Sequence, residues 1–168
     1  YDLRRGVAGV GSPEMRTRPT NHRDYFFGRE MKRWAQERGI PMLAWPKHHH
    51  NDIALSNRML IAGDLAGENI DVLAHELLES HWVEDSDLAD AQTLVRLAER
   101  VGLDGNELLE TAKTDIVQAQ YEANTAEAIE RSVFGSPTYF VDGDMFYGQD
   151  RLHMVERAMA SPYIGQWP

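Results

Sequence analysis

The stretch SVFGSPTYFVDGD, residues 132–144, places a Ser-Pro pair immediately before an apolar run that ends on Asp-Gly. Proline has no N–H to donate to a sheet ladder, so Pro137 belongs at the first residue of a strand or on an edge. The runs TYFV and DMFY flank Asp142-Gly143, a pair that is typical of a two-residue hairpin turn. The sequence therefore predicts a β-hairpin entered through Pro137.

The composition restricts the classes of protein that fit. The chain has 168 residues with 42% hydrophobic and 26% charged residues, which suits one soluble globular domain or a domain with a large insertion. Its formal charge of -10 argues against nucleic acid as the main partner, and no apolar run is long enough to span a membrane. Since no signal peptide is visible and cysteine is absent, we expect a cytoplasmic protein without thiol chemistry of its own.

Before the hairpin, the pattern predicts mostly helices. The first 20 residues read as a strand remnant and a loop. Apolar spacing and end signals then predict helices at 21–38, 53–66, 70–82, from Asp85 or Ser86 to about 101, around 108–109, and at 115–133. The last of these carries a face of small residues, namely Ile116, Ala119, Ala123 and Ala126.

After the hairpin, Gln149 and Asp150 open a final helix, in which Leu152, Val155 and Met159 are expected to face inward. Asp150 also suits an ordinary acidic helix cap. Because two strands and one helix cannot cover both faces of a sheet, this end of the chain is expected to pair with strands from elsewhere.

Two segments about ten residues apart carry a family resemblance: Gly135-Ser136-Pro137-Thr138 and Gly148-Gln149-Asp150-Arg151-Leu152. Together they resemble the C-terminal half of the thioredoxin fold in the 2-hydroxychromene-2-carboxylate isomerase family, which is related to kappa-class glutathione transferases and DsbA-type oxidoreductases. The resemblance implies an α/β thioredoxin-like fold with a large inserted all-helical domain. The thioredoxin-like portion would comprise 1–20 and 126–168, and the insertion 21–125. The family's first βα unit has no counterpart in this sequence.

The resemblance also implies a glutathione site. The Ser136-Pro137 bond would be cis and would hold the cysteinyl part of the tripeptide, although family members usually carry Val in place of Ser136. Gln149 and Asp150 would receive the γ-glutamyl ammonium and carboxylate, and His22 falls near the family's basic contact to the ligand. The catalytic residue stays unknown, because the family's serine lies in the unmatched N-terminal unit.

The expected activity is that of a glutathione-dependent isomerase of an aromatic-catabolism intermediate. The alternatives are a kappa-like glutathione transferase and a degenerate, non-catalytic glutathione-binding protein. The absence of cysteine disfavours a disulfide oxidoreductase. The partners implied are glutathione and a small aromatic substrate, and a homodimer is common among relatives.

Two other groups of residues have simpler interpretations. The run His48-His49-His50 predicts a solvated loop rather than a metal site, since three consecutive residues cannot all point at one ion from regular structure. Four aromatic residues are expected in the core, or alternatively lining an aromatic substrate pocket: Tyr25, Phe27, Trp34 and Trp45.

Overall fold

The structure is a computed structural model that describes residues 1–11 and 17–165. The contacts among these residues define two compact units, one made of 1–11 and 125–165 and the other of 17–124. The elements, in chain order, are α1 (Leu3–Gly9), α2 (Thr20–Arg23), a π-helical segment (Asp24–Glu30), α3 (Met31–Arg38), α4 (Ala54–Ala66), α5 (Ile70–Glu84), α6 (Ala91–Arg100), α7 (Gly105–Thr111), α8 (Asp115–Glu130), β1 (Thr138–Val141), β2 (Asp144–Tyr147) and α9 (Leu152–Ala160).

The core of the helical unit lies between α4, α5, α6, α7 and the first turns of α8. Its fully or almost fully buried residues include Met59, Ala62, Leu73, Leu77, Leu94, Leu97, Leu108 and Val117. In α6 the apolar residues recur at helical spacing, so one face is buried and the other carries exposed arginines. A Cβ at Gly105 would lie 2.4 Å from the carbonyl oxygen of Val95, so a glycine at this position lets α7 approach α6 closely.

Helix α6 begins later than the sequence predicts. Asp90 is its N-cap, and the Asp90 carboxylate accepts the amide of Thr93 at 2.8 Å. Asp85 instead ends α5 in the left-handed conformation (φ 61°), and its carboxylate accepts the amide of Lys47 at 2.7 Å. The expected start at Asp85 or Ser86 is therefore wrong, because Asp85 ties down a neighbouring loop instead of capping a helix.

The segment 20–38 is helical throughout, which confirms the predicted helix, but its middle third is π-helical. Gly39 ends it in the left-handed conformation (φ 63°) that glycine adopts readily. The expectation that its aromatic residues are core is wrong for Tyr25, which is exposed and packs edge-on against Phe26. It is also wrong for Trp45, which follows this segment and is 65% exposed, whereas Phe27 and Trp34 are partly buried.

The chain start folds as a helix, so the expected strand remnant is wrong. The carboxylate of Asp2 accepts the amide of Arg5 at 3.1 Å and caps α1. The amide of Asp2 donates to the hydroxyl of Thr125 at 2.9 Å, and Thr125 is fully buried. A Cβ at Gly9 would lie 2.7 Å from Ile129, so α1 packs tightly against the end of α8.

The buried face of helix α8 is not the face of small residues that the sequence suggests. The buried side chains are Val117, Tyr121, Thr125 and Ala128. Ile116 is 74% exposed, and the alanines at 119, 123 and 126 are exposed as well. Tyr121 lies on the buried face, and its ring removes more area from water than the exposed alanines would.

The predicted hairpin is confirmed. Strands β1 and β2 pair antiparallel from Thr138↔Tyr147 to Val141↔Asp144. Asp142 and Gly143 both have positive φ (49° and 87°), as a type I′ turn requires. The described residues show no third strand beside these two, so the expected partner strands are not seen.

Helix α9 does not face inward as expected. Leu152 is exposed, Met159 is 75% exposed, and Ala158 is the buried residue. Of the three residues that the spacing placed inside, only Val155 is partly buried. The covered side of α9 carries Met154, Val155 and Ala158 instead.

Candidate functional site

The candidate site is built where the hairpin ladder meets the turn into α9. The Ser136-Pro137 peptide bond is cis, as predicted. The carbonyl of Pro137 accepts the amide of Gly148 at 3.0 Å, which extends the ladder one pair beyond Thr138↔Tyr147. Proline cannot return a hydrogen bond to the carbonyl of Gly148. That carbonyl accepts the amide of Arg151 at 3.2 Å instead, and this bond closes a turn over residues 148–151.

The consequence is that four of the five predicted site residues lie together. Ser136 and Pro137 lie across the ladder from Gly148, and Gln149 and Asp150 follow Gly148 in the closed turn. Their role as ligand contacts stays a prediction.

Gly148 is required at this turn on two grounds. Its φ of +114° lies in a region that residues with a side chain rarely adopt. A Cβ added here would also lie 2.6 Å from Oδ1 of Asp150. The carboxylate of Asp150 therefore occupies the space that the missing side chain leaves.

Asp150 does not cap the last helix, so that expectation is wrong. Helix α9 begins at Leu152, and its N-cap Arg151 makes no side-chain cap hydrogen bond. The carboxylate of Asp150 forms an ion pair with the guanidinium of Arg151. Arg151 belongs to the motif that carries the family resemblance, and its position next to Asp150 is the sequence signal that indicates this ion pair.

Ser136 presents main-chain polar groups to solvent. The residue is exposed, and within residues 1–11 and 17–165 neither its amide nor its carbonyl takes part in a backbone hydrogen bond. The preceding Gly135 is buried, and a Cβ there would lie 2.4 Å from the ring of Tyr147. The carbonyl of Gly135 accepts the hydroxyl of Thr138 at 2.8 Å. The chain around Ser136 is thus fixed on one side and open on the other.

Tyr1 is a neighbour of this turn that no sequence signal indicated. Its phenol oxygen lies 3.5 Å from the carbonyl oxygen of Gly135. Burial raises the pKa of the Tyr1 phenol, and the nearby Ser136 hydroxyl offsets part of that rise. The phenol therefore stays protonated across the neutral range and can act as a hydrogen-bond donor.

His22, the fifth predicted site residue, lies on α2 in the helical unit. Its side chain is exposed, and its amide lies 3.0 Å from the carboxamide oxygen of Asn21. A ligand contact by His22 stays a prediction.

The histidine loop is partly ordered by packing. Nδ1 of His49 lies 3.2 Å from Nε2 of His81, and the two rings stack at 5.5 Å. His49 and His50 are exposed and His48 is partly buried, which agrees with the predicted solvated loop, and His49 also contacts the buried His81 of α5. Across the described ranges, no three His, Asp or Glu side chains are grouped in a way that could hold a metal ion.

A cleft of about 570 Å³ opens in the helical unit beside α6, away from any predicted site residue. Its lining includes Arg100, whose Nε lies 2.9 Å from Glu76 and whose Nη1 lies 2.8 Å from Glu84. The hydrogen bond from Arg100 lowers the pKa of Glu84 and raises that of Arg100. These ion pairs already compensate the charge of Arg100.

Among the described helices, none combines the length and apolarity that crossing a bilayer needs.

Comparison with known proteins places the chain in a family. A family model described as DSBA-like thioredoxin domain matches residues 1–160. The chain therefore belongs to the DsbA-like thioredoxin domain family, and it has the thioredoxin-like fold with a helical insertion that the motifs predict.

Within that family, the resemblance to 2-hydroxychromene-2-carboxylate isomerases is confirmed. The chain is 31% identical over 162 residues to the isomerase of Pseudomonas putida, covering 94% of this chain and 76% of the relative. The isomerase of Pseudomonas sp. (strain C18) is 30% identical, with 82% of this chain and 63% of the relative covered. A solved structure of such an isomerase superposes with a TM-score of 0.76 at 26% identity, over 95% of this chain and 76% of the other.

A more distant relative belongs to another class of enzyme. Glutathione S-transferase kappa 1 of Rattus norvegicus is 27% identical over 108 residues, which are 60% of this chain and 48% of the relative. The chain thus spans between about half and three quarters of the relatives it matches.

Proposed function

We propose that this protein is a glutathione-dependent isomerase of an aromatic-catabolism intermediate, with 2-hydroxychromene-2-carboxylate as the type of substrate. The observation that carries the proposal is the hydrogen bond from Gly148 to Pro137, because it holds Ser136 beside Gln149 and Asp150. The relatives' names supply the activity, and the turn supplies groups that suit the cofactor.

The polar groups of the turn suit two parts of glutathione, the γ-glutamyl end and the cysteinyl peptide groups. The γ-glutamyl end carries one ammonium and one carboxylate, and the ion pair of Asp150 and Arg151 offers one partner for each. Gln149 adds a side-chain amide that can both donate and accept. The amide and carbonyl of Ser136 can pair with the peptide groups of an extended ligand, as an added strand would.

Helix α9 adds a further attraction for an anion. The amides of Leu152 and His153 have no acceptor within the helix, and the aligned peptide dipoles favour negative charge at this end. A carboxylate held by Arg151 would lie at that helix start. The γ-glutamyl carboxylate would thus be held by two independent features of the chain.

When bound, glutathione would supply a thiol that can add reversibly to a conjugated double bond. The task of the protein is then to hold the tripeptide extended, with its thiol next to Ser136. Phe134 and Tyr147, in edge-to-face contact at 4.9 Å and both exposed, offer an apolar surface beside that position for an aromatic substrate.

The direct test measures conversion of 2-hydroxychromene-2-carboxylate by the purified protein with glutathione, without it, and with S-methylglutathione. We expect conversion only in the condition that contains glutathione, because S-methylglutathione can make the same contacts but has no free thiol. Equal conversion in all three conditions would contradict glutathione dependence.

A kappa-like glutathione transferase is the second candidate, because of the similarity to the rat kappa enzyme. Conjugation of glutathione to a chlorinated nitrobenzene would favour this activity if the chromene acid is not converted. Glutathione binding without either reaction would indicate the third alternative, a non-catalytic binding protein. His22 belongs to the helical unit, so its contact with glutathione is a separate proposal. It is tested by measuring the glutathione affinity of a His22→Ala variant.

A further inference from the structure

Arg58 of α4 is a partly buried cation that takes no part in the candidate site. It precedes Met59, which is 1% exposed, and is itself partly covered. Among the described residues, no carboxylate lies within ion-pair distance of its guanidinium. Arg100, in the same helical unit, is by contrast paired with Glu76 and Glu84. A partly covered charge without a counterion destabilises a fold, so the isolation of Arg58 requires an explanation.

Gln118 of α8 occupies one side of this guanidinium. Nη1 of Arg58 donates to Oε1 of Gln118 at 3.0 Å, and Nε2 of Gln118 donates to Oε1 of Glu122 at 3.0 Å. The carboxamide thus lies between the cation and the Glu122 carboxylate and takes the place of a direct ion pair. Because a carboxamide has no net charge, Gln118 orients the guanidinium without neutralising it.

The other side of the guanidinium is unused. Nε of Arg58 is buried and has no hydrogen-bond partner in the described part of the chain. Nε–H and one N–H of Nη2 point in the same direction, and two parallel donors of this kind match the two oxygens of a carboxylate. A buried N–H without an acceptor is unfavourable, and an external ligand is one source of the missing acceptor.

The surroundings favour an anion with a single charge. The guanidinium of Arg58 supplies one positive charge, and the Glu122 carboxylate lies on the far side of Gln118. A dianion such as phosphate would need a second cation, whereas a monocarboxylate needs only the two parallel donors. The formal charge of -10 makes general attraction of anions to this chain weak, so binding here has to come from local geometry.

We propose that the Nε–Nη2 edge of Arg58 binds a small organic monocarboxylate through two parallel hydrogen bonds, with Gln118 holding the guanidinium in position. The carboxylate supplies both an acceptor for Nε and a counterion for the guanidinium. Arg58 is the residue that touches the ligand, and its partial exposure lets a small molecule approach from solvent. The site lies within the helical unit and needs no glutathione, so it is independent of the proposed function.

The test follows the Nε–H resonance of Arg58 by NMR in the whole chain, without glutathione. The Arg58→Lys variant assigns this resonance by its disappearance. Benzoate is the probe, benzamide is its uncharged analogue of nearly equal shape, and inorganic phosphate tests selection against a dianion. We expect benzoate to shift the resonance saturably with a millimolar dissociation constant, and neither benzamide nor phosphate to give a saturable shift.

Two variants separate a ligand contact from a structural role. Gln118→Glu keeps the side-chain size and gives Arg58 a direct counterion, so it should abolish the saturable benzoate shift in a protein that circular dichroism shows to be folded. Arg58→Lys keeps the charge but loses the parallel donors. Benzoate affinity, followed through the backbone amides of α4, should then fall about tenfold, the effect of one lost hydrogen bond to a charged group. Arg96→Lys, at an exposed arginine of α6, is the control and should bind benzoate as wild type does.

Several results would overturn the site. A benzamide shift equal to that of benzoate would contradict recognition of the charge, and equal saturation by phosphate would contradict selection of a monocarboxylate. Wild-type benzoate affinity in Gln118→Glu, or no saturable shift in the wild-type protein, would show that Arg58 is a structural residue. Because these titrations contain no glutathione, each such result leaves the proposed function unaffected.

Discussion

Replacing Gly148 by alanine should damage the candidate site more than the fold. The alanine must adopt a φ near the +114° of Gly148, a conformation that costs a residue with a side chain about 1–3 kcal/mol. Its Cβ would also lie 2.6 Å from Oδ1 of Asp150, a distance that no stable contact tolerates. Since the carboxylate is the mobile partner, it has to turn away from its present position.

Two magnitudes follow from this geometry. The free energy of unfolding should fall by about 1–3 kcal/mol, the cost of the backbone strain. Glutathione affinity should fall by at least about tenfold, because a hydrogen bond to a charged group contributes about 1.5–3 kcal/mol and Asp150 would no longer be placed to make it.

The matched control is Gly143→Ala in the hairpin turn. Gly143 also has a positive φ (87°), but a Cβ there would meet nothing within 4 Å. Denaturant unfolding should show a similar loss of stability for both variants, whereas calorimetric titration should show weaker glutathione binding for Gly148→Ala alone. If Gly148→Ala binds glutathione as tightly as Gly143→Ala, the placement of Asp150 has no bearing on the ligand.

Three further predictions concern single side chains. Asp150→Ala should weaken glutathione binding by about tenfold in calorimetric titration, because one charged partner of the ligand is lost. Leu94→Ala should lower the free energy of unfolding by about 2–5 kcal/mol in denaturant, since Leu94 is 0% exposed. The pKa of Asp87 is lowered because the Asn51 carboxamide and the Ala89 amide donate to it. A carboxyl group with a lowered pKa in the folded state stabilises the fold above its unfolded-state pKa of about 3.9, and this stability is lost as the pH falls through the folded-state pKa. Asp87→Asn should therefore reduce the loss of stability below about pH 4.

Each of these has its control. Glu156→Ala, at an exposed position of α9, makes the same charge change as Asp150→Ala. Equal glutathione affinities of the two variants would show that Asp150 does not contact the ligand. Leu78→Ala, at an exposed leucine, should lower the free energy of unfolding by much less than Leu94→Ala. Equal decreases for the two variants would show that burial of the leucine does not determine the effect. Parallel acid unfolding curves for wild type and Asp87→Asn would contradict the account of Asp87.

The sequence predicts those parts of the fold that depend on local chemistry. The hairpin follows from Asp142-Gly143, whose positive φ values few other pairs accept. The helix end at Gly39 follows from the left-handed conformation that glycine allows. The neighbourhood of Pro137 and Gly148 is predictable because the register of a short hairpin fixes which residues face each other.

The parts that the sequence does not predict depend on long-range contacts. Helix α1 is stabilised by Asp2, whose amide reaches Thr125 far along the chain. The outward direction of Met159 and Ile116 is decided by which neighbours cover the other faces, and periodicity alone cannot tell the two faces apart. The Tyr1 phenol lies 3.5 Å from the carbonyl oxygen of Gly135, far along the chain, and nothing in the local sequence indicates this contact.

The most direct test of the glutathione site is a chemical-shift map of the backbone amides during titration with glutathione. We expect the largest shifts at Ser136, Gly148, Gln149 and Asp150, with saturation at a single affinity. Shifts concentrated at the arginine-lined cleft beside α6, or no saturable shifts at all, would contradict it.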